Sequence, residues 1–177
     1  MRPHIALFSQ TGSEIVNIAK TSNKWPDVIV TNDRPTYKRQ IHVEIKDKVT
    51  IVENRPTTET YNSIFSRFEN PVITLHGWLR IIPEEICKQY EIYNNHPGDI
   101  EHFPELKGKD PQKRAYDLGL STSGNTLHRV TPDVDSGKVI ASTMVNIEGL
   151  SLSEVFHTLH YDATQLWLKT LPNLLIE

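Results

Sequence analysis

Apolar residues in this chain come in short runs that take turns with helix-spaced stretches, the pattern of strands and helices alternating along a sheet. His4 to Phe8 is the first run, and Ser9-Gln10-Thr11-Gly12-Ser13 follows as a polar loop before Ile15, Ile18 and Ala19 at helical spacing. Asp27 to Thr31 predicts a second strand. Thr57 to Phe68 carries Tyr61, Ile64, Phe65 and Phe68 with a helical period, and Pro71 to Leu75 then reads as a buried strand. Pro83-Glu84-Glu85 marks a helix start, Tyr90 to Asn94 a further strand, and Pro111 to Leu118 a short helix stopped by Gly119. Thr122 to Val130 and Val139 to Ile147 both alternate in the strand manner. The turn residues Thr131 to Gly137 between them predict an antiparallel pair whose connection presents Asp135. Ser151 and Glu154 form a capping-box pattern, and the amphipathic helix they open runs through Val155, Leu159, Ala163 and Leu166 and ends before Pro172. Arg34 to Lys48 is polar, with His42 to Ile45 alternating like an edge strand ahead of Val49 to Val52. The order is that of an α/β fold.

Composition narrows the class. At 177 residues, with 37% apolar and 23% charged, the chain has the balance of one domain over residues 1–177, large enough for a sheet with helices on it. A net charge of −3 and a pI near 6.2 argue against nucleic acid or an anionic membrane as partner. The single cysteine, Cys87, excludes an internal disulfide and a cysteine-based zinc site. Neither a signal peptide nor a spanning segment is legible, so the expectation is a soluble, cytoplasmic protein.

The candidate chemistry gathers at Tyr93-Asn94-Asn95-His96-Pro97. Asn94 and His96 are two apart at a strand end, so an amide and an imidazole leave the same face, and Pro97 stops the strand there. Acyl transfer to an amine develops a tetrahedral oxyanion and needs one proton taken from the attacking nitrogen and another given to the leaving nitrogen. Asn94 can donate to the oxyanion, His96 can donate or move the proton, and a carboxylate at Asp135 would orient the ring and favour its charged form. The same residues also fit a strand end capped by polar groups and an ordinary turn aspartate, and on residues alone both readings stand. His157 and His160 are three apart in the last helix and could in principle hold a metal, but a histidine pair on an amphipathic helix is more often surface or packing. No His-x-x-x-His or His-Glu-x-x-His pair and no serine-nucleophile elbow occurs, so no metal is expected.

Several motifs, in order, resemble the folate-dependent formyltransferases, above all the phosphoribosylglycinamide branch. Asn94-Asn95-His96-Pro97 is similar to that family's Asn-x-His-Pro. Gly119 to Val130, followed by Asp133-Val134-Asp135-Ser136-Gly137, is similar to its Gly-x-x-x-x-Gly-x-Thr-x-His-x-Val segment and acidic turn. Gly77 to Ile82 resembles its Gly-x-Met-Arg-Ile-Leu stretch, and Thr11-Gly12-Ser13 its phosphate loop. The resemblance implies a Rossmann-like open, mostly parallel sheet with flanking helices and an antiparallel strand pair near the C-terminus. It implies direct transfer of a formyl group from 10-formyltetrahydrofolate, the co-substrate, to a primary amine, with Asn94, His96 and Asp135 catalytic. Leu79, Arg80, Ile81, Val134 and His128 would then hold the folate, and Thr11, Gly12, Ser13 and Glu14 the acceptor.

The resemblance also implies purine biosynthesis, with a small-molecule amine as partner and a monomer or homodimer as the assembly. Glycinamide ribonucleotide leads as acceptor, an amino-sugar or other modified nucleotide comes next, and hydrolysis of the formyl folate or folate binding without turnover are the rivals. The chain departs from the family at Gln10, where glycine is usual, at Glu14, where asparagine is usual, and at Leu159 ahead of His160, where an acid is usual. The loop Gly98 to Pro104 also differs, and the chain is short between Asn32 and Thr57.

Overall fold

The computed structural model describes residues 1–33 and 40–176. Five short strands run parallel: β1 (His4–Phe8), β2 (Val28–Asn32), β3 (Val49–Val52), β4 (Val72–Leu75) and β5 (Glu91–His96). After β6 (Thr122–Ser123) come β7 (Thr126–Arg129) and β8 (Val139–Ser142), which add antiparallel to β5, while β9 (Val145–Asn146) returns to pair with β6. The main sheet therefore has the order β3-β2-β1-β4-β5-β7-β8, and β6-β9 forms a second, two-stranded sheet. Helices α1 (Ser13–Ser22), α2 (Thr58–Phe65), α3 (Glu84–Gln89), α4 (Pro111–Asp117) and α5 (Leu152–Leu174) fill the connections. This is the open, mostly parallel architecture that the strand pattern and the resemblance imply.

The central strands are apolar on both faces because both faces are covered. Ile5 and Leu7 of β1 join Ile73, Leu75 and Ile92 under Tyr61, Ile64 and Phe65 of α2 and Ile86 and Cys87 of α3. Ala6 and Phe8, one residue out of phase, pack with Ile15 and Val16 of α1 on the opposite side. There Ile18 of α1 also meets Val72, Tyr93 and Leu127 beneath Leu166, Trp167 and Leu171 of α5. Strand order reverses at β1, with β2 on one side and β4 on the other. A crevice opens at the carboxyl ends of such a pair, which is where an open α/β sheet holds ligands.

Three details differ from the sequence pattern. His42 to Ile45 is not an edge strand; residues 43–48 form turns closed by Ile45 N–H to His42 O (3.0 Å) and Lys48 N–H to Ile45 O (2.8 Å). Ile45 is fully buried against Phe8 and Ile15, so its place is set by a core contact and not by alternation. Residues 34–39 of the same polar stretch lie outside the described residues. Next, the predicted Thr122 to Val130 strand breaks at Gly124, where a Cβ would sit 1.8 Å from the Thr143 carbonyl oxygen; this close crossing separates β6 from β7 and β8 from β9. Last, α5 continues through Pro172 to Leu174. Proline there forfeits one backbone hydrogen bond, while Leu171 and Leu175 on that turn are buried with Trp167.

Candidate functional site

The groups expected to react lie around the carboxyl end of β5, where the sheet changes from parallel to antiparallel. Asn94 pairs across with His128 of β7, and the alternation of β5 turns Asn94 and His96 to the side on which the 130–138 connection folds back. Asp135 sits in that connection with φ of 52°, a left-handed conformation that aspartate tolerates better than most side chains. Its carboxylate is almost buried, at 8% exposure, and stands between two imidazoles. Oδ2 is 3.2 Å from His96 Nδ1 and Oδ1 is 3.4 Å from His128 Nε2. Gly108 N–H also donates to Oδ2 at 2.9 Å, tying the 98–110 loop to the site. Burial pushes the Asp135 carboxyl up, but the facing His128 N–H, the His96 ring and the Gly108 N–H together outweigh it and hold it below its usual value.

His96 is buried under the same loop, with Nε2 2.8 Å from the Leu106 carbonyl. Each ring nitrogen thus faces an acceptor, and only one can be answered while the ring is neutral. Burial dominates and lowers the His96 pKa, while Asp135 and the Leu106 carbonyl pull the other way. A neutral ring flanked by two acceptors is able to take up a proton and bond it at once. His96 itself lines neither of the two cavities that flank this strand end, so a proton from an attacking amine would reach the ring by way of Asp135 or after one of these two contacts opens.

Two cavities flank this end of β5. The smaller, about 230 Å³, is lined by Leu79, Arg80, Ile81, Asn94, His128, Val134 and Asp135 among others. Leu79, Ile81 and Val134 are large apolar side chains left exposed there, and the buried His128 Nε2 meets only the long contact to Asp135. The Gly77 to Ile82 segment is pinned by Leu79 N–H to Ser9 Oγ (2.9 Å) and by Arg80 Nε to the Asn54 carbonyl (2.7 Å). Arg80 is therefore a brace whose guanidinium serves the protein backbone. The larger cavity, about 510 Å³, opens at the β1 and β4 ends and is lined by Thr11, Gly12, Ser13, Glu14, Asn95 and His160, among others. Gly12 must be glycine on two counts: its φ is 76°, and a Cβ would lie 2.5 Å from Ile45 Cδ1.

The residues expected from the sequence thus line one or other of these two cavities, except His96, which contacts Asp135 of the smaller one. Sequence reasoning missed a second layer. Glu14 Oε1 is 2.7 Å from His76 Nδ1, His76 Nε2 is 2.8 Å from Thr74 Oγ1, and Thr74 Oγ1 is 2.8 Å from His4 Nε2. Asn95 donates through Nδ2 to Asn125 Oδ1 (2.9 Å), and Asn125 Nδ2 donates to the Leu159 carbonyl (3.0 Å) and to Asp162 (2.7 Å). Alternation was the available signal: Thr74 and His76 share a face, and Asn95 must point opposite to Asn94.

The His4 end of that chain carries a pH consequence. Burial, with the nearby His76 adding to it, lowers the His4 pKa from 6.5 to about 3. The unfolded chain takes up a proton at pH 6.5 where the folded one does not, so His4 contributes stability that is full above 6.5 and declines as pH falls. At ~1.4 kcal/mol per pH unit, about 2 kcal/mol is lost by pH 5. Urea midpoints at pH 7 and pH 5 should show this drop, and His4→Gln should flatten it.

Comparison with known proteins agrees with this fold. The formyl transferase family model matches residues 5–170. Phosphoribosylglycinamide formyltransferase of Bacillus subtilis (strain 168) is 32% identical over 82 residues, 45% of this chain and 40% of that protein. Formyltetrahydrofolate deformylase 2, mitochondrial, of Arabidopsis thaliana is 33% identical over 70 residues, 38% of this chain and 20% of that protein. The chain spans between 8% and 40% of the length of the first curated relatives it matches. In three dimensions, the phosphoribosylglycinamide formyltransferase of Streptococcus pneumoniae TIGR4 superposes with a TM-score of 0.79 at 20% identity, covering 99% of this chain and 100% of that one, a likeness of fold.

Proposed function

Since the chain belongs to the formyl transferase family, we propose that it moves a formyl group from 10-formyltetrahydrofolate to a primary amine. The observation that carries this reading is Asp135 held between His96 and His128, with Asn94 beside them on the wall of the smaller cavity. The donor's flat, hydrogen-bonding ring suits that cavity: Leu79, Ile81 and Val134 offer apolar surface, and Asn94 on the same wall offers a polar contact. The reaction breaks the bond from formyl carbon to donor nitrogen and makes one from that carbon to the amine. One proton leaves the amine and one reaches the donor nitrogen. Asn94 supplies an N–H where negative charge develops on the formyl oxygen, His96 accepts the amine proton, and Asp135 stabilises the imidazolium that results.

Glycinamide ribonucleotide, the acceptor in the relatives' names, is the first to test, followed by an amino-sugar nucleotide. A second reading is hydrolysis, with water as acceptor; the match to a deformylase and the carboxylate of Glu14 in the larger cavity favour it. The deciding experiment follows release of deformylated folate from a 10-formyl folate analogue with no acceptor, with glycinamide ribonucleotide, and with an amino-sugar nucleotide. Acceptor-dependent release is expected. Equal release without any acceptor would establish the hydrolase, and no release under any condition would refute both readings.

A further inference from the structure

The polar lining of the larger cavity sets two carboxylates among neutral groups such as Gln10, Thr11, Gln112, His157 and His160. Its acids are Glu14 and Asp110, and among the described residues it contains no lysine or arginine. Glu14 lies in the first turn of α1, where the positive end of the helix dipole favours an anion, so that end already carries a carboxylate whose charge would repel a phosphate. It is also aimed. Its Oε1 accepts from His76 Nδ1, the His76 side chain is 2% exposed and packs against Trp167 with ring centroids 4.9 Å apart and planes tilted by 45°, and Thr74 and His4 back the ring from behind. Oε1 is therefore fixed while Oε2 has no hydrogen-bond partner among the described residues, on a side chain 16% exposed to the cavity.

A second lining residue ends in the same way. The Leu159 carbonyl can only accept, which fixes Asn125 with its amide nitrogen toward Leu159 and Asp162 and its oxygen toward Asn95. Asn95 must then use its nitrogen for that bond, and its Oδ1 is left buried without a partner. Of these two acceptors with nothing to accept, Asn95 Oδ1 is enclosed by the protein, and Glu14 Oε2 is the one on a side chain open to the cavity. A phosphate brings acceptors and negative charge to that carboxylate; ammonium, amine and hydroxyl groups bring what its free oxygen lacks.

We infer that the acceptor is a non-phosphorylated primary amine carrying a second donor group, hydroxyl or ammonium, that Glu14 binds. This rests on the formyl-transfer reading and narrows its acceptor. The test is calorimetric titration of the full chain, without folate, with glycinamide ribonucleotide and with the corresponding riboside that lacks the phosphate. The riboside should bind at least ~10-fold tighter, and excess inorganic phosphate should leave its affinity unchanged. In Glu14→Gln, which keeps the shape and removes the charge, the preference should shrink by about as much. Tighter binding of the ribonucleotide to the wild type, a preference unaltered in Glu14→Gln, or no binding of either ligand would overturn the inference. Should Glu14→Gln fail to fold, the wild-type pair and the phosphate competition decide it. Neither titration involves the formyl donor. A dead donor assay with the preference intact therefore removes the formyl-transfer reading, and a live assay with the preference reversed removes only this inference.

Discussion

Asp135→Asn should lower turnover of the formyl donor by at least ~100-fold, the low end for losing a positioned acid or base system, with the fold intact. Asparagine is the informative replacement. It occupies the left-handed region that Asp135 adopts at φ 52°, and its amide oxygen can still accept from Gly108 N–H, so the connection keeps its shape. Alanine would add backbone strain to the loss of charge. What asparagine removes is the negative charge between His96 and His128, the term that offsets the burial of His96. The His96 pKa, already below 6.5, should fall further, so the acid limb of the remaining kcat/KM profile should move to lower pH. His96→Ala should produce a loss of similar size and abolish that limb. Near-normal rates in either variant, measured with saturating folate analogue and acceptor, would sink the roles assigned to the pair.

Trp167→Ala should cost about 3–5 kcal/mol in urea unfolding, the range for deleting a large buried aromatic side chain. Trp167 is fully buried in α5, at the centre of the cluster that ties that helix to Ile18 of α1 and to Val72, Tyr93 and Leu127 of the sheet. Its indole Nε1 has no hydrogen-bond partner among the described residues, so Trp167→Phe removes an orphaned donor together with some volume. The phenylalanine variant should therefore lose less than half as much. Because the indole packs on the His76 ring, which in turn holds Glu14, Trp167→Ala should also weaken acceptor binding while leaving folate binding near normal. Equal losses in both variants would mean that the volume phenylalanine keeps contributes nothing, and would overturn the packing account of the cost.

Much of the site was legible because it depends on period and on local chemistry. The two-residue spacing of Asn94 and His96 puts them on one face of any strand, and Pro97 ends that strand wherever it lies. The Ser151 and Glu154 capping box forms as its spacing requires, since both of its bonds are made within three residues. Contacts between distant segments were not legible in this way. His76 follows a strand like any polar residue, and nothing in its neighbourhood announces Glu14, 62 positions away. Asn95 looked like the spacer in a motif, although it ends on an orphaned acceptor and holds Asn125.

The sequence by itself determined the order of strands and helices, the apolar runs that bury the central sheet, and the face shared by Asn94 and His96. Each of these follows from backbone geometry over a few residues. Tertiary structure alone decided that Ile45 is core and not edge strand, that Gly124 splits two strands where another chain segment crosses at contact distance, and that α5 runs through Pro172. It also decided that Asp135 reaches two histidines and that a carboxylate stands in the larger cavity with one oxygen held and one free. Those outcomes depend on which surfaces are left to be covered once the sheet has formed, and local pattern carries no information about that.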